Sequence, residues 1–135
     1  MEISTRGRYA VRVLCEIAKH KDNFVSIADL AASQEISVKY LEHIISKLLK
    51  AKILVSMRGV NGGYQLSRSP KEYTILEILQ ATDDKISLAT CSAQDCPRKE
   101  NCVSKPLWDA LAELITDFLL KTTLQDVIDK DLKKF

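Results

Sequence analysis

The chain of 135 residues is the length of one domain. With 46% hydrophobic and 28% charged residues and no apolar run longer than three, as at Ile53 to Val55 and Phe118 to Leu120, it excludes collagen-like, disordered, disulfide-scaffold and membrane-spanning readings. Its charge is uneven: residues 1–71 hold 12 Lys and Arg against 6 Asp and Glu, and residues 72–135 hold 8 against 12. A basic half joined to an acidic half points to a polyanion-binding face and a second region with another task. The bland alternative is chance segregation on a solvated surface. The Met1-Glu2 opening has no apolar stretch of the kind that directs secretion, which predicts a cytoplasmic chain.

From Thr5 to His20, Tyr9, Ala10, Val13, Leu14, Ile17 and Ala18 recur at helical spacing, with Ser4 or Thr5 as cap. Ser26 caps a short helix to about Ser33, and Asp29 stands three residues later. Gln34-Glu35-Ile36 leads to a second cap, Ser37. The helix from Val38 to Ala51 then buries Leu41, Ile44, Ile45, Leu48 and Leu49. Two helices joined by so short a turn outline a helix-turn-helix.

Ile53-Leu54-Val55 and Tyr64-Gln65-Leu66 read as paired strands. Three of the four glycines fall between them, in Arg58-Gly59-Val60-Asn61-Gly62-Gly63. A glycine-rich turn between two strands is a hairpin, and a hairpin behind a helix-turn-helix is a wing. Thr74 and Glu77 set a capping box for a helix to about Thr82. Pro106 sits at the first position of a longer helix carrying Leu107, Trp108, Leu111, Leu114, Ile115, Phe118 and Leu119. That stripe is too wide for one small domain to cover, so a second copy of the chain is expected against it. Thr123 and Asp126 cap a last short helix. The fold class is therefore mostly α with a small β-hairpin wing. Residues 1–82 form a winged helix-turn-helix, 83–105 a cysteine-bearing loop, and 106–135 a dimerisation helix and C-terminal helix.

On the helix from Val38, the face opposite the apolar stripe carries Lys39, Tyr40, His43, Ser46, Lys47 and Lys50. A helix in the major groove reaches base edges with its N-terminal residues, while lysines further along hold phosphates. Glu42 is placed to accept from a cytosine amino group. Arg58 on the wing reaches a phosphate or the minor groove, and Arg6, Arg8 and Arg12 extend the basic surface. The competing reading is an ordinary solvated helix face, with Tyr40 packing rather than reading bases.

Of the four cysteines, Cys15 lies beside the apolar stripe of the first helix and reads as a plain buried thiol. Cys91, Cys96 and Cys102 are spaced C-x4-C-x5-C. Three thiolates suit a soft metal or an iron–sulfur cluster, and the spacing is wider than the usual zinc knuckle. Unrelated or redox-reactive thiols are the alternative. Asp95, Glu100 and Asp109 are nearby oxygen donors for an open fourth position. No Ser/His/Asp or Cys/His constellation is present, and the glycines match neither a P-loop nor a dinucleotide motif, so no enzyme is expected.

Ile3-Ser4-Thr5-Arg6-Gly7-Arg8-Tyr9-Ala10-Val11, Ile36-Ser37-Val38-Lys39-Tyr40-Leu41-Glu42 and Arg58-Gly59-Val60-Asn61-Gly62-Gly63-Tyr64 resemble the Rrf2 family of dimeric winged-helix transcription regulators. The likeness runs to about Val127, and the cysteine triad followed by Pro106-Leu107-Trp108 resembles the family's IscR branch. It implies a homodimer on a roughly palindromic double-stranded DNA operator. Tyr40, Glu42 and His43 would then lie at the bases and Arg58 in the wing, with Ser37 and Gly59 among the other DNA-binding residues. It further implies a cluster on Cys91, Cys96 and Cys102, of 2Fe–2S type with 4Fe–4S as the alternative, whose presence or loss changes DNA binding by a repressor or activator. Neither a membrane nor a small-molecule substrate is implied. In the IscR branch a histidine follows the last cysteine by three positions, where this chain has Lys105. NsrR-like members use an aspartate from the partner's first helix, where this chain has Arg8. A regulator sensing thiol or redox status without a cluster, and a small iron–sulfur electron carrier, are the competing functions.

Overall fold

The computed structural model describes residues 2–85, 96–98 and 100–132. Helix α1 (Thr5–Lys19) begins where Ser4 Oγ accepts the Gly7 N–H at 3.0 Å, so Ser4 rather than Thr5 is its cap. It buries Gly7, Ala10, Val13, Leu14 and Ile17, one face of a 3.6-residue period. Helix α2 (Ile27–Gln34) starts at Ser26, whose Oγ accepts from the Asp29 N–H at 3.2 Å. It stops at Glu35, which turns left-handed at φ 56°. Helix α3 (Val38–Lys50) follows Ser37, whose Oγ accepts from the Tyr40 N–H at 3.2 Å. Glu35, Ile36 and Ser37 alone separate the two, which is the anticipated helix-turn-helix.

Strands β1 (Leu54–Met57) and β2 (Gly63–Leu66) pair antiparallel, with Leu54 opposite Leu66 and Met57 opposite Gly63. The first strand starts one residue later and ends two later than its sequence suggests. Ile53 is fully buried and gives its carbonyl to the Ser67 N–H and the Tyr73 hydroxyl, while Ser56 and Met57 gain ladder partners in Tyr64 and Gly63. Val25 extends the hairpin: its N–H reaches the Tyr64 carbonyl at 2.9 Å, and Tyr64 returns the bond at 2.8 Å. The approach depends on Gly63, where φ is 141° and a Cβ would stand 2.2 Å from the Val25 carbonyl oxygen.

A short 3-10 turn (Pro70–Glu72) with a Ser69–Glu72 capping box, absent from the sequence reading, brings Tyr73 inward. The Tyr73 ring is fully buried, yet its hydroxyl is satisfied. It donates to the Ile53 carbonyl at 3.0 Å and accepts from the Arg68 N–H at 2.6 Å. Helix α4 (Ile75–Ala81) begins at Thr74, which accepts from the Glu77 N–H at 3.1 Å. Helix α5 (Lys105–Lys121) packs on α4, and Pro106 is its second residue rather than its first. Proline is accommodated at either place, because no first-turn N–H has a partner within the helix. Helix α6 (Leu124–Asp129) has the expected Thr123–Asp126 box.

The core joins Leu14, Ile17, Leu30, Leu41, Ile44, Leu48, Ile53, Tyr73 and Ile78. Each such side chain contributes about 1.5–3 kcal/mol of burial. The C-terminal segment returns to this core: the Ile75 N–H bonds the Thr122 carbonyl, the Leu124 N–H bonds the Tyr73 carbonyl, both at 2.9 Å, and Leu124 is fully buried. By contrast, none of the residues of α5 is buried, and Leu107, Trp108, Leu111, Leu114 and Leu120 face outward. No helix among the described residues is long and apolar enough to cross a membrane.

Candidate nucleic-acid interface

Helix α3 turns Leu41, Ile44, Ile45 and Leu48 into the core and leaves Lys39, Glu42, His43, Ser46 and Lys50 exposed, with Tyr40 and Lys47 half-buried. Amphipathic spacing alone produces this division. Ser37 is exposed at the start of the helix, where its hydroxyl is engaged as the cap. Arg58 and Gly59 are exposed in the turn of the wing, and Arg8 is exposed at the start of α1 with a bond to Thr5 Oγ1 at 3.1 Å. Three elements thus present cationic or polar groups: α1, α3 and the hairpin.

Three residues of the expected surface are tied to neighbours on other elements. Tyr40 meets Tyr9 edge to face, which fixes the first turn of α3 against α1. Arg12 lies 5.1 Å over the Tyr9 ring and donates to the Gln34 carbonyl at 2.7 Å and to Gln34 Oε1 at 3.3 Å. It therefore braces α1 against the end of α2. Lys47 forms an ion pair with Asp83, a residue the sequence reading did not single out. The pairing holds the Asp83 carboxyl below its ordinary range, chiefly through the Lys47 hydrogen bond and charge, with Arg6 and Lys50 adding to it. Nothing local in the sequence announces the contact, since the partners stand 36 positions apart.

Cys91 lies outside the described residues. Cys96 and Cys102 are half-buried free thiols. Cys102 sits just before α5, with Sγ 3.4 Å from Ser104 Oγ. Its thiol pKa is lowered first by the Ser104 hydroxyl, then by the backbone N–H groups of Ser104 and Lys105. A soft donor already biased toward thiolate fits an iron–sulfur cluster in its chemistry. Lys105 pairs with Asp109 one turn along α5, which engages one of the oxygen donors near the triad. Cys15 is half-buried against the core, and burial pushes its thiol pKa up.

A family model described as Rrf2, iron-dependent transcriptional regulator, matches residues 3–130. The chain is 34% identical over 131 residues to the HTH-type transcriptional regulator IscR of Pectobacterium carotovorum subsp. carotovorum, across 96% of this chain and 80% of that protein. Among solved structures, CymR, the global cysteine regulator of B. subtilis, matches with a TM-score of 0.80 at 30% identity, covering 96% of this chain and 98% of that one. IscR of T. potens matches with a TM-score of 0.77 at 28% identity, covering 97% and 88%. These similar proteins are regulators of transcription, not enzymes.

Proposed function

Because the chain belongs to the Rrf2 family of transcriptional regulators, we propose that it works as a homodimer on a near-palindromic double-stranded operator, with an iron–sulfur cluster on Cys91, Cys96 and Cys102 setting its affinity. The observation that carries the DNA reading is the exposed polar face of α3, flanked by the basic start of α1 and by Arg58 on the wing. In this reading Lys39, Tyr40, Glu42 and His43 approach base edges, with Ser37 anchoring that turn, while Lys47, Arg6, Arg8 and the Arg58-Gly59 turn lie along the phosphates. The uncovered apolar residues of α5 support a second copy as its partner, which would set two α3 helices at the spacing of two half-sites.

The cluster reading rests on the cysteine spacing and on the lowered Cys102 thiol pKa. When bound, a 2Fe–2S cluster supplies a charge and a redox state that report iron and sulfide supply. Cys96 and Cys102 would bring thiolate donors from the chain just before α5, together with Cys91. A second reading keeps the DNA binding and makes the thiols themselves the sensor. It is favoured by the same lowered thiol pKa and by the likeness to a cysteine regulator. A small electron carrier has no use for a helix-turn-helix and a wing.

An absorption spectrum of protein purified without oxygen, with iron and sulfide counted per chain, separates the two readings. Bands between roughly 320 and 600 nm with equal iron and sulfide, lost in Cys91→Ala, support the cluster. Colourless, iron-free protein after attempted reconstitution supports the thiol sensor.

A further inference from the structure

Asp83 carries a charge that its place at the end of a helix does not favour. It is the left-handed residue that closes α4, with φ 66°, its N–H on the Gln80 carbonyl and the next N–H, of Asp84, on the Leu79 carbonyl. This is the paired bond pattern that ends many helices, and its left-handed position favours glycine or asparagine. The negative end of the helix dipole also repels a carboxylate there. At the comparable turns after α1, α3 and α6 the left-handed residues are Lys21, Lys52 and Lys130, whose charge suits the dipole, while Glu35 after α2 is the other acidic residue in such a place. The helix dipole therefore does not account for Asp83.

Its neighbour does have a structural reason. Asp84 Oδ1 accepts the Ser4 N–H at 3.2 Å at the start of α1, a helix with no acidic residue in its own first turn. Gly7 makes room for it, since a Cβ there would stand 2.0 Å from Asp84 Oδ2. With Asp84 seated under α1, the backbone delivers Asp83 to the side of α3, where its carboxylate meets Lys47 Nζ. Lys47 and Lys50 are one helical turn apart on α3. Arg6 and Lys50 both act on the same carboxylate. The carboxylate is solvent-exposed, so the pairing is exchangeable rather than built into the core.

We propose that Arg6, Lys47 and Lys50 form a subsite for one backbone phosphate of duplex DNA, and that Asp83 occupies this subsite in the free protein as an internal competitor. The inference rests on the reading of α3 as the DNA-contacting helix. A phosphodiester offers the same class of ligand as a carboxylate, an anionic oxygen for lysine and arginine donors. DNA binding then exchanges the Lys47–Asp83 pair for a Lys47–phosphate pair, and Asp83 returns to solvent. Because Asp83 follows α4 directly, its position couples the DNA-facing cations to the chain that leads toward the cysteines.

The test is a double-mutant cycle on a labelled random-sequence duplex, with affinity measured across a potassium chloride series for wild type, Asp83→Asn, Lys47→Ala and the double variant. Asparagine tolerates the left-handed conformation, so Asp83→Asn keeps the turn, and a thermal melt of each variant checks folding. The expected result is about three- to fivefold tighter binding by Asp83→Asn, with the salt slope steeper by about one. Lys47→Ala weakens binding, and in that background the gain from Asp83→Asn shrinks to what Arg6 and Lys50 alone supply. If Asp83→Asn leaves affinity unchanged, or its gain persists undiminished without Lys47, the competitor is overturned while the α3 reading stands. If Lys47→Ala binds as wild type does, Lys47 touches no phosphate, and its place in the interface falls together with this inference.

Discussion

The rings of Tyr9 and Tyr40 stand 5.9 Å apart at 83°, so the first turn of α3, the helix proposed to face DNA, is braced by a residue of α1. Arg12 stacks on the other partner of this pair, Tyr9, and holds the end of α2 through Gln34. The three helices are thus locked together immediately beneath the surface assigned to bases. Tyr9→Leu keeps an apolar side chain but removes the edge contact. It is expected to cost about 0.5–1.5 kcal/mol in urea unfolding. Operator affinity should fall with no change in salt slope, since no phosphate contact is lost.

The wing is the second place where backbone geometry decides the outcome. Gly63→Ala forces a Cβ toward the Val25 carbonyl at a φ that side chains rarely adopt. A loss of about 1–3 kcal/mol is expected, read as a lower melting temperature or urea midpoint. Gly59, with positive φ and open space around it, should tolerate Ala better because only conformational strain is added. Equal losses at the two positions would contradict the Val25 contact.

Tyr73 offers a measurement confined to the core. Tyr73→Phe leaves the Arg68 N–H without its acceptor and removes one donor from the Ile53 carbonyl. The expected cost is about 1–3 kcal/mol in stability. DNA affinity at temperatures where the variant stays folded should match wild type.

The thiols should separate by environment. Burial raises the Cys15 thiol pKa, so the folded chain holds that proton more tightly than the unfolded one. The stability this confers is present below the ordinary thiol pKa and is lost as pH rises through the raised value. Cys15→Ala should therefore flatten the alkaline decline of stability. With the cluster absent, iodoacetamide at neutral pH should modify Cys102 ahead of Cys15, as peptide mass analysis would show.

Much of this architecture was legible because it rests on local rules. The caps Ser4, Ser26, Ser37, Thr74 and Thr123 each sit where a hydroxyl meets an orphan N–H, and the glycines mark the wing. Tertiary contacts supplied what the sequence could not. The strand limits moved because Ile53 went into the core and Met57 found Gly63 as its partner. The return of Leu124 to Tyr73, and the meeting of Lys47 with Asp83, join residues far apart in the chain, and no periodicity encodes either. The exposed face of α3 was readable from spacing, whereas the bracing of Tyr40 and Arg12 was not.

The central claim, a dimeric DNA reader whose affinity follows its cysteine-bound cluster, is tested most directly by selecting duplexes from a random pool with anaerobically prepared protein. Binding to the selected duplex is then titrated against salt with the cluster present and after its removal. The account predicts a two-fold symmetric consensus bound by one dimer, a steep salt dependence, and different affinities for the two forms. An unenriched pool would contradict the DNA reading, and identical affinities with and without the cluster would contradict its role as the signal.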